Sequence, residues 1–207
     1  MLRYLVSALR IIVGFTGASG IIYGWRLVKI LKDLGYDVWI VVTKEAVRVG
    51  MFECNEYVFE QLRNVSNGFC YADNWDCPLS SGSFVFHSMV VVPCSLRTLA
   101  AIACGNADNV LVRAAINTIR LGRKLVLVVR ETPWSSIDYE NASKLSKLGV
   151  IVMPASPAFY HNPKNILDLV DYIVGRILEV LGIEHKLYSS WEEARTQGPL
   201  NLCDQDA

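Results

Sequence analysis

The sequence predicts an α/β protein: a single-domain, doubly wound parallel sheet, Rossmann-like or flavodoxin-like, with helices on both faces. Three observations predict it. Strand-length apolar runs alternate along the chain with stretches of helical periodicity. The first run, at 11–15, breaks into Thr-Gly-Ala-Ser-Gly at 16–20 and resumes as a helix, the form of a β–α phosphate turn. Finally, 207 residues of which 52% are apolar suffice for one sizeable core. One domain over 1–207 is expected, with its core at about 9–184 and a C-terminal tail at about 185–207.

The elements follow in order. In the opening turn Gly14, Gly17 and Gly20 let the backbone bend and approach a ligand, and Ser19 stands where the next helix offers free N–H groups to an anion. A glycine-rich turn without a ligand is the plain alternative. Residues 21–34 carry apolar side chains at Ile22, Leu27, Ile30, Leu31 and Leu34, with Gly35 as C-cap. The nearly continuous apolar run at 37–43 is a parallel strand covered on both faces. A helical, partly polar region spans 44–69, and 71–83 is the longest irregular segment, with Trp75 and a serine cluster. A strand at 88–93 leads through the N-cap Ser95 into a helix ending near Cys104. The next helix, 109–121, carries Arg113 and Arg120 two turns apart on one face. A strand at 125–129 runs straight into Arg130-Glu131, followed by a helix at 137–148, a strand at 150–153 and a loop at 154–161. The last helix starts at Pro163 and runs to Gly182, with a stripe of Ile166, Leu169, Val170, Ile173, Ile177 and Val180. Arg176, at the edge of that stripe, either pairs with Glu179 or reaches toward a neighbouring subunit's ligand.

Composition removes several function classes. Twenty basic residues balance twenty acidic ones, so no overall field favours nucleic acid or an anionic membrane. No apolar run is long enough to span a bilayer, and a cytoplasmic protein is expected. The six cysteines, at 54, 70, 77, 94, 104 and 203, contain no Cys-x-x-Cys pair, so buried thiols are expected and no metal. A disulfide stays open. The spacing Gly-x-x-Gly-x-x-Gly differs from the dinucleotide fingerprint, and the second strand ends in Thr43 where that fingerprint needs an acid. A mononucleotide such as FMN fits better.

In such sheets ligands gather outside the carboxyl ends of the strands. This brings together Gly17, Ala18 and Ser19, then Thr43, the loop of Ser95, Leu96, Arg97 and Thr98, Arg130 with Glu131, and the segment ending in Tyr160.

Read together, these ends resemble the UbiX-type flavin prenyltransferases, over about residues 11–191. The resemblance rests on Thr16-Gly17-Ala18-Ser19-Gly20, Pro93-Cys94-Ser95, Ala107-Asp108-Asn109, Val129-Arg130-Glu131-Thr132-Pro133, Pro157-Ala158-Phe159-Tyr160-His161, Asp168-Leu169-Val170-Asp171 and Arg176. It implies transfer of a dimethylallyl group from dimethylallyl phosphate to reduced FMN, at N5 and then C6. The prenylated FMN would serve a UbiD-type decarboxylase. The resemblance also implies a metal-independent enzyme and a homo-oligomer, a dodecamer whose active sites are shared between subunits. It places FMN contacts on Gly17, Ala18, Ser19, Thr43, the 95–98 loop and Arg130. The prenyl-phosphate contacts fall on Arg120, Arg130, Tyr160 and Arg176, with Arg113 beside Arg120 as a further candidate. Ser19, Glu53, Glu131, Arg120 and Trp191 would carry the chemistry. Many members have Ser-Met-Lys-Thr where this chain has Ser95-Leu96-Arg97-Thr98, and lysine where Arg120 stands.

The chemistry suits these residues. An allylic phosphate leaves with charge that fixed donors must stabilise, and Arg120, Arg130, Arg176 and the Tyr160 hydroxyl are such donors. Glu131 could pass the leaving group a proton. Two rivals share the fold: a flavin-dependent cysteine decarboxylase, whose Pro-x-Met-Asn-x-x-Met-Trp clamp this chain lacks, and a non-enzymatic FMN carrier or assembly factor.

Overall fold

The computed structural model describes residues 9–196, 198 and 200; Cys203 and the last residues of the expected tail lie outside them. The chain divides into two compact units, Met1–Ala155 and Ser156–Ala207. The first holds β1 (Arg10–Phe15), α1 (Ile21–Asp33), β2 (Asp37–Val42), α2 (Lys44–Glu53), α3 (Val58–Val65) and β3 (Gly68–Tyr71). After a short 3-10 turn at Pro78–Ser80 it continues with β4 (Ser88–Cys94), α4 (Leu96–Cys104), α5 (Val110–Arg120), β5 (Lys124–Val129), α6 (Ser136–Lys147) and β6 (Ile151–Pro154). The second unit holds α7 (Ile166–Leu181) and α8 (Trp191–Thr196). Among the described residues no helix is long and apolar enough to cross a membrane.

All six strands are parallel, in the order β3-β2-β1-β4-β5-β6. The chain winds outward from β1 to β3, returns beside β1 as β4, and winds the other way to β6. Right-handed crossovers therefore place α1, α2 and α3, which pack on one another, opposite α4, α5 and α6. This is the doubly wound sheet expected. Its central strands are apolar beyond their first residues because both faces are covered: every residue of β4 is buried, and Ile12 of β1 pairs with Trp39 on one side and Met89 on the other. Leu99 and Leu111 join Ile12, Met89 and Leu127 in one core cluster, each side chain contributing about 1.5–3 kcal/mol on burial.

Three local expectations change. Residues 68–71 form the edge strand β3, where the sequence reads the tail of a helical region and the start of an irregular one; four residues on an edge are too few to show a period. Helix α7 begins after Asn165, whose side chain accepts from Asp168 N–H at 3.1 Å, so the cap is Asn165 and not Pro163. The polar tail contains a helix, α8. The cysteines also differ from uniform burial: Cys94 is buried, Cys54 and Cys104 are exposed, and Cys70 is joined to Cys77 in a disulfide.

Helix α6 carries a pH-dependent cap. Asp138 Oδ2 accepts from both the N–H (2.8 Å) and the hydroxyl (2.6 Å) of Ser135, and these bonds hold its carboxyl below the usual 3.8. A depressed carboxyl stabilises the fold fully above the unfolded value and loses that contribution as pH falls through the folded one. Wild type and Asp138→Asn should therefore differ in Tm at neutral pH, with the gap closing below 3.8. A gap undiminished in strong acid would show that the ionised cap is not its source.

Candidate active site

The carboxyl ends of the strands are knitted together by backbone bonds. Thr16 N–H donates to Pro93 C=O at 3.2 Å, Thr43 N–H to Phe15 C=O at 3.1 Å, and Arg130 N–H to Cys94 C=O at 3.2 Å. Ala72 N–H donates to Val42 C=O at 2.8 Å, while its own carbonyl accepts from Val110 N–H at the start of α5. The residues that follow β1, β2, β3 and β4 thus surround one cavity of about 350 Å³. It lies beside the β1/β4 reversal, where open α/β sheets bind their ligands.

Some of the hydroxyls in this cavity cap a helix as acceptors and keep a hydrogen to give. Thr43 Oγ1 accepts from Ala46 N–H at 3.2 Å, capping α2. Ser95 Oγ accepts from Thr98 N–H at 3.3 Å, capping α4, and shares one hydrogen with Thr98 Oγ1 at 3.0 Å. The Thr43 hydroxyl and one of the Ser95/Thr98 pair therefore each keep a donor for an incoming acceptor. Thr16 is fully engaged, donating to Pro93 C=O at 2.8 Å and accepting from Ser95 N–H at 2.8 Å. Two helix N-termini add positive potential. The cations Lys44 and Arg97 are paired with the lining acids Glu45 (3.9 Å) and Asp108 (3.3 Å), Asp73 is a further acid, and Gly17, Ala72, Ala101 and Val112 leave a narrow apolar wall. Hydroxyl donors, helix N-termini and small apolar walls are what a phosphorylated flavin mononucleotide requires, so the residues fit FMN.

Beside the cavity, the 16–20 loop carries a second cluster. Both oxygens of the Glu53 carboxylate accept from Gly20 N–H (3.0 and 2.8 Å), and one also from Ile21 N–H at 2.9 Å. The anion at the start of α1 is therefore this carboxylate from the end of α2, so those N–H groups are not open to a phosphate as the sequence suggests. Arg130 Nε donates to Ser19 C=O at 3.1 Å, tying the end of β5 to the loop. Tyr23, one turn into α1, lies against Gly20; burial raises its phenol pKa, with the Arg130 charge opposing and that of Glu53 adding.

Among the sequence candidates, Gly17, Thr43, Ser95, Arg97 and Thr98 line the cavity. Ala18 is a buried residue of the loop, and Leu96 packs its side chain against the core, leaving only backbone to face a ligand. Ser19, Glu53 and Arg130 come together as described, and Glu131 follows exposed, its carbonyl accepting from Trp134 Nε1 at 2.9 Å. Gly14 lies within β1 against Leu111 and is not part of the turn. Arg113 donates Nε to Ser80 C=O at 3.3 Å, holding the 3-10 turn. Arg120 ends α5, ten residues and roughly 15 Å of helix beyond Val110, so this chain does not bring it to its own cavity. Cys94 is no nucleophile, because full burial pushes its thiol far above the usual range.

In the second unit Tyr160 meets Trp191 edge to face at 5.4 Å and Tyr172 at 6.0 Å, and burial raises its phenol pKa. Arg176 forms the expected ion pair with Glu179.

The sequence reading did not single out Lys44, Asp73 or Tyr23, and it quoted Asn109 within a motif without giving it a role. Lys44 and Asn109 had a signal: one directly follows a strand end, and the other is an N-cap accepting from Val112 N–H at 3.0 Å. Asp73 follows β3, the strand whose four residues show no period.

Comparison with known proteins points the same way. The flavoprotein family model matches residues 3–178. A flavin prenyltransferase UbiX from Saccharolobus solfataricus is 46% identical over 185 residues, covering 88% of this chain and 92% of its own. The crystal structure of AnUbiX (PadA1) in complex with FMN and dimethylallyl pyrophosphate superposes with a TM-score of 0.85 at 34% identity, covering 89% of this chain and 97% of that one. A dodecameric FMN-dependent UbiX-like decarboxylase from Escherichia coli O157:H7 gives 0.82 at 38% identity, covering 86% and 97%.

Proposed function

We propose a function from one premise: the chain belongs to the flavoprotein family, as one of its flavin prenyltransferases. It moves a dimethylallyl group from dimethylallyl phosphate to reduced FMN, giving prenylated FMN for a UbiD-type decarboxylase. The observation that carries this reading is the convergence of Arg130 and Glu53 on the loop that carries Ser19, beside a cavity rich in hydroxyl donors.

When bound, reduced FMN supplies the nitrogen and carbon nucleophiles, N5 and C6. Thr43 and one of the Ser95/Thr98 pair would hold its polar part with the hydroxyl hydrogens left over. Gly17 and Ala18 would contribute backbone, and Arg97 the guanidinium N–H groups that its pair with Asp108 leaves over. The protein's larger task is to make phosphate leave the allylic carbon. Arg130, fixed through Nε to Ser19 C=O, keeps the other edge of its guanidinium for an oxyanion. Each such donor in a dry site is worth about 3 kcal/mol of barrier. Arg176 and Tyr160 are further phosphate donors, Glu131 would protonate the departing phosphate, and Glu53 would take up the proton that the nucleophile gives up, with the Ser19 hydroxyl receiving one proton and passing its own on. Trp191 would face the allyl group with its ring, favouring a developing cation.

Arg120 supports assembly. A cation so far from its own cavity can serve a prenyl phosphate only in another copy's site, as in a dodecamer with shared sites.

The test is direct. Protein, reduced FMN and dimethylallyl phosphate, or in parallel the pyrophosphate, are mixed without oxygen and the released flavin is weighed. A flavin heavier by one five-carbon unit is expected. Flavin returned unchanged from a protein that binds it would make this chain a carrier.

A further inference from the structure

Glu179 lies one turn beyond Arg176 on α7, and three donors converge on its carboxylate. Arg176 Nη1 donates to one oxygen. The Tyr188 hydroxyl donates to the other, and His185 Nε2 stands 3.4 Å from that same oxygen. His185 Nδ1 accepts from Leu187 N–H at 3.2 Å, so a neutral ring carries its proton on Nε2, toward Glu179. Burial, then the bond to Glu179, raise the Tyr188 pKa, so it stays a donor at any working pH. The Arg176 charge also acts on the Tyr188 phenol, opposing the rise in its pKa.

The segment 185–188 reaches α7 only because residue 175 is glycine. A Cβ there would lie 2.5 Å from Tyr188 Cε1 and 2.7 Å from His185 Cε1. A solvated pair one turn apart on a helix needs neither this clearance nor a tyrosine and a histidine closing on the acid. What the arrangement achieves is to fix one long side chain. The Arg176 side chain is still 51% exposed, and one N–H given to Glu179 leaves most of a five-donor fork to offer.

We propose that Glu179 is a positioning residue: with Tyr188 and His185 it holds the Arg176 guanidinium in one orientation, so that its remaining edge meets the substrate's phosphate already ordered. This rests on the reading of Arg176 as a prenyl-phosphate contact. An unrestrained arginine would surrender its rotamer freedom on binding, whereas one held by an acid has already done so. The acid's negative charge opposes phosphate binding, but it is shared among three donors.

The test compares Glu179→Gln, Glu179→Asp, Tyr188→Phe and Arg176→Ala in the full chain. It reads KM and kcat for dimethylallyl phosphate, calorimetric binding of dimethylallyl phosphate, FMN affinity and Tm. Glu179→Gln should raise KM and the calorimetric Kd about tenfold, the cost of ordering one such side chain, with kcat and FMN affinity held. Glu179→Asp should recover part of the loss, and Tyr188→Phe should give a smaller rise of the same sign, which keeps the test usable if one variant folds poorly. If Arg176→Ala raises KM but Glu179→Gln leaves it unchanged, or lowers it because the acid competes with phosphate, the positioning role is overturned. If Arg176→Ala leaves KM unchanged, the phosphate reading beneath it falls first.

Discussion

Glu53→Gln is expected to lower kcat by about two to three orders of magnitude in a protein that still folds. The carboxylate sits at the positive end of α1, where Gly20 and Ile21 direct three bonds onto its two oxygens. Glutamine keeps one acceptor oxygen and sets an N–H2 group against a backbone N–H, so at least one of these bonds is lost together with the charge. The structural cost is about 1–2 kcal/mol, from one hydrogen bond and one charge at a helix terminus. A domain stable by about 5–15 kcal/mol survives it. The chemical cost is larger, because an amide cannot accept the proton for which Glu53 is placed beside Ser19 and Arg130. Single-turnover rates with reduced FMN, set against urea unfolding, separate the two. A folded variant turning over at the wild-type rate would remove Glu53 from the chemistry.

What the sequence discloses depends on whether a residue's neighbours are local. The apolar runs of β1, β2, β4 and β5 announce themselves because each strand is covered on both faces, and once the strands are placed their ends must be neighbours. That logic alone gathers Gly17, Thr43, Ser95 and Thr98 around a cavity and Arg130 beside its loop. Where the neighbour is distant in sequence and the signal is a single side chain, the reading stops. Glu53 capping a helix more than thirty residues upstream leaves no periodic trace. Nor does Gly175, whose missing Cβ makes sense only once Tyr188 and His185 have folded against it. Periodicity can also mislead: Arg113 and Arg120 share a helical face, yet one is spent on Ser80 C=O and the other stands at the far end of α5. One face of a helix is not one place in a protein.

Gly17→Ala is expected to weaken FMN binding by more than tenfold, for a reason that lies in α2 and not in the flavin. The backbone at residue 17 is in no left-handed conformation, so alanine meets no dihedral penalty there. Its Cβ would, however, stand 2.3 Å from Glu45 Cβ, and 3.3 and 3.4 Å from the carbonyl carbon and Cα of the same residue. None of these atoms can swing aside, since all belong to or adjoin the backbone of the first turn of α2. That turn has to retreat, carrying Thr43, Lys44 and Glu45, which form one wall of the cavity. Overpacking of this kind costs about 1–3 kcal/mol, which appears as a lowered Tm and, through the displaced wall and the Thr43 hydroxyl, as a raised Kd. Fluorescence titration of FMN into the variant measures the second effect. The decisive comparison is Gly17→Ala combined with Glu45→Gly, which removes the atom struck; the pair are in contact and should couple. Recovered affinity in the double variant, despite the weaker helix start that glycine brings, is the expected result. Equal loss with and without the Glu45 side chain would mean that residue 17 serves the ligand through its own bare backbone, and the steric account would fail.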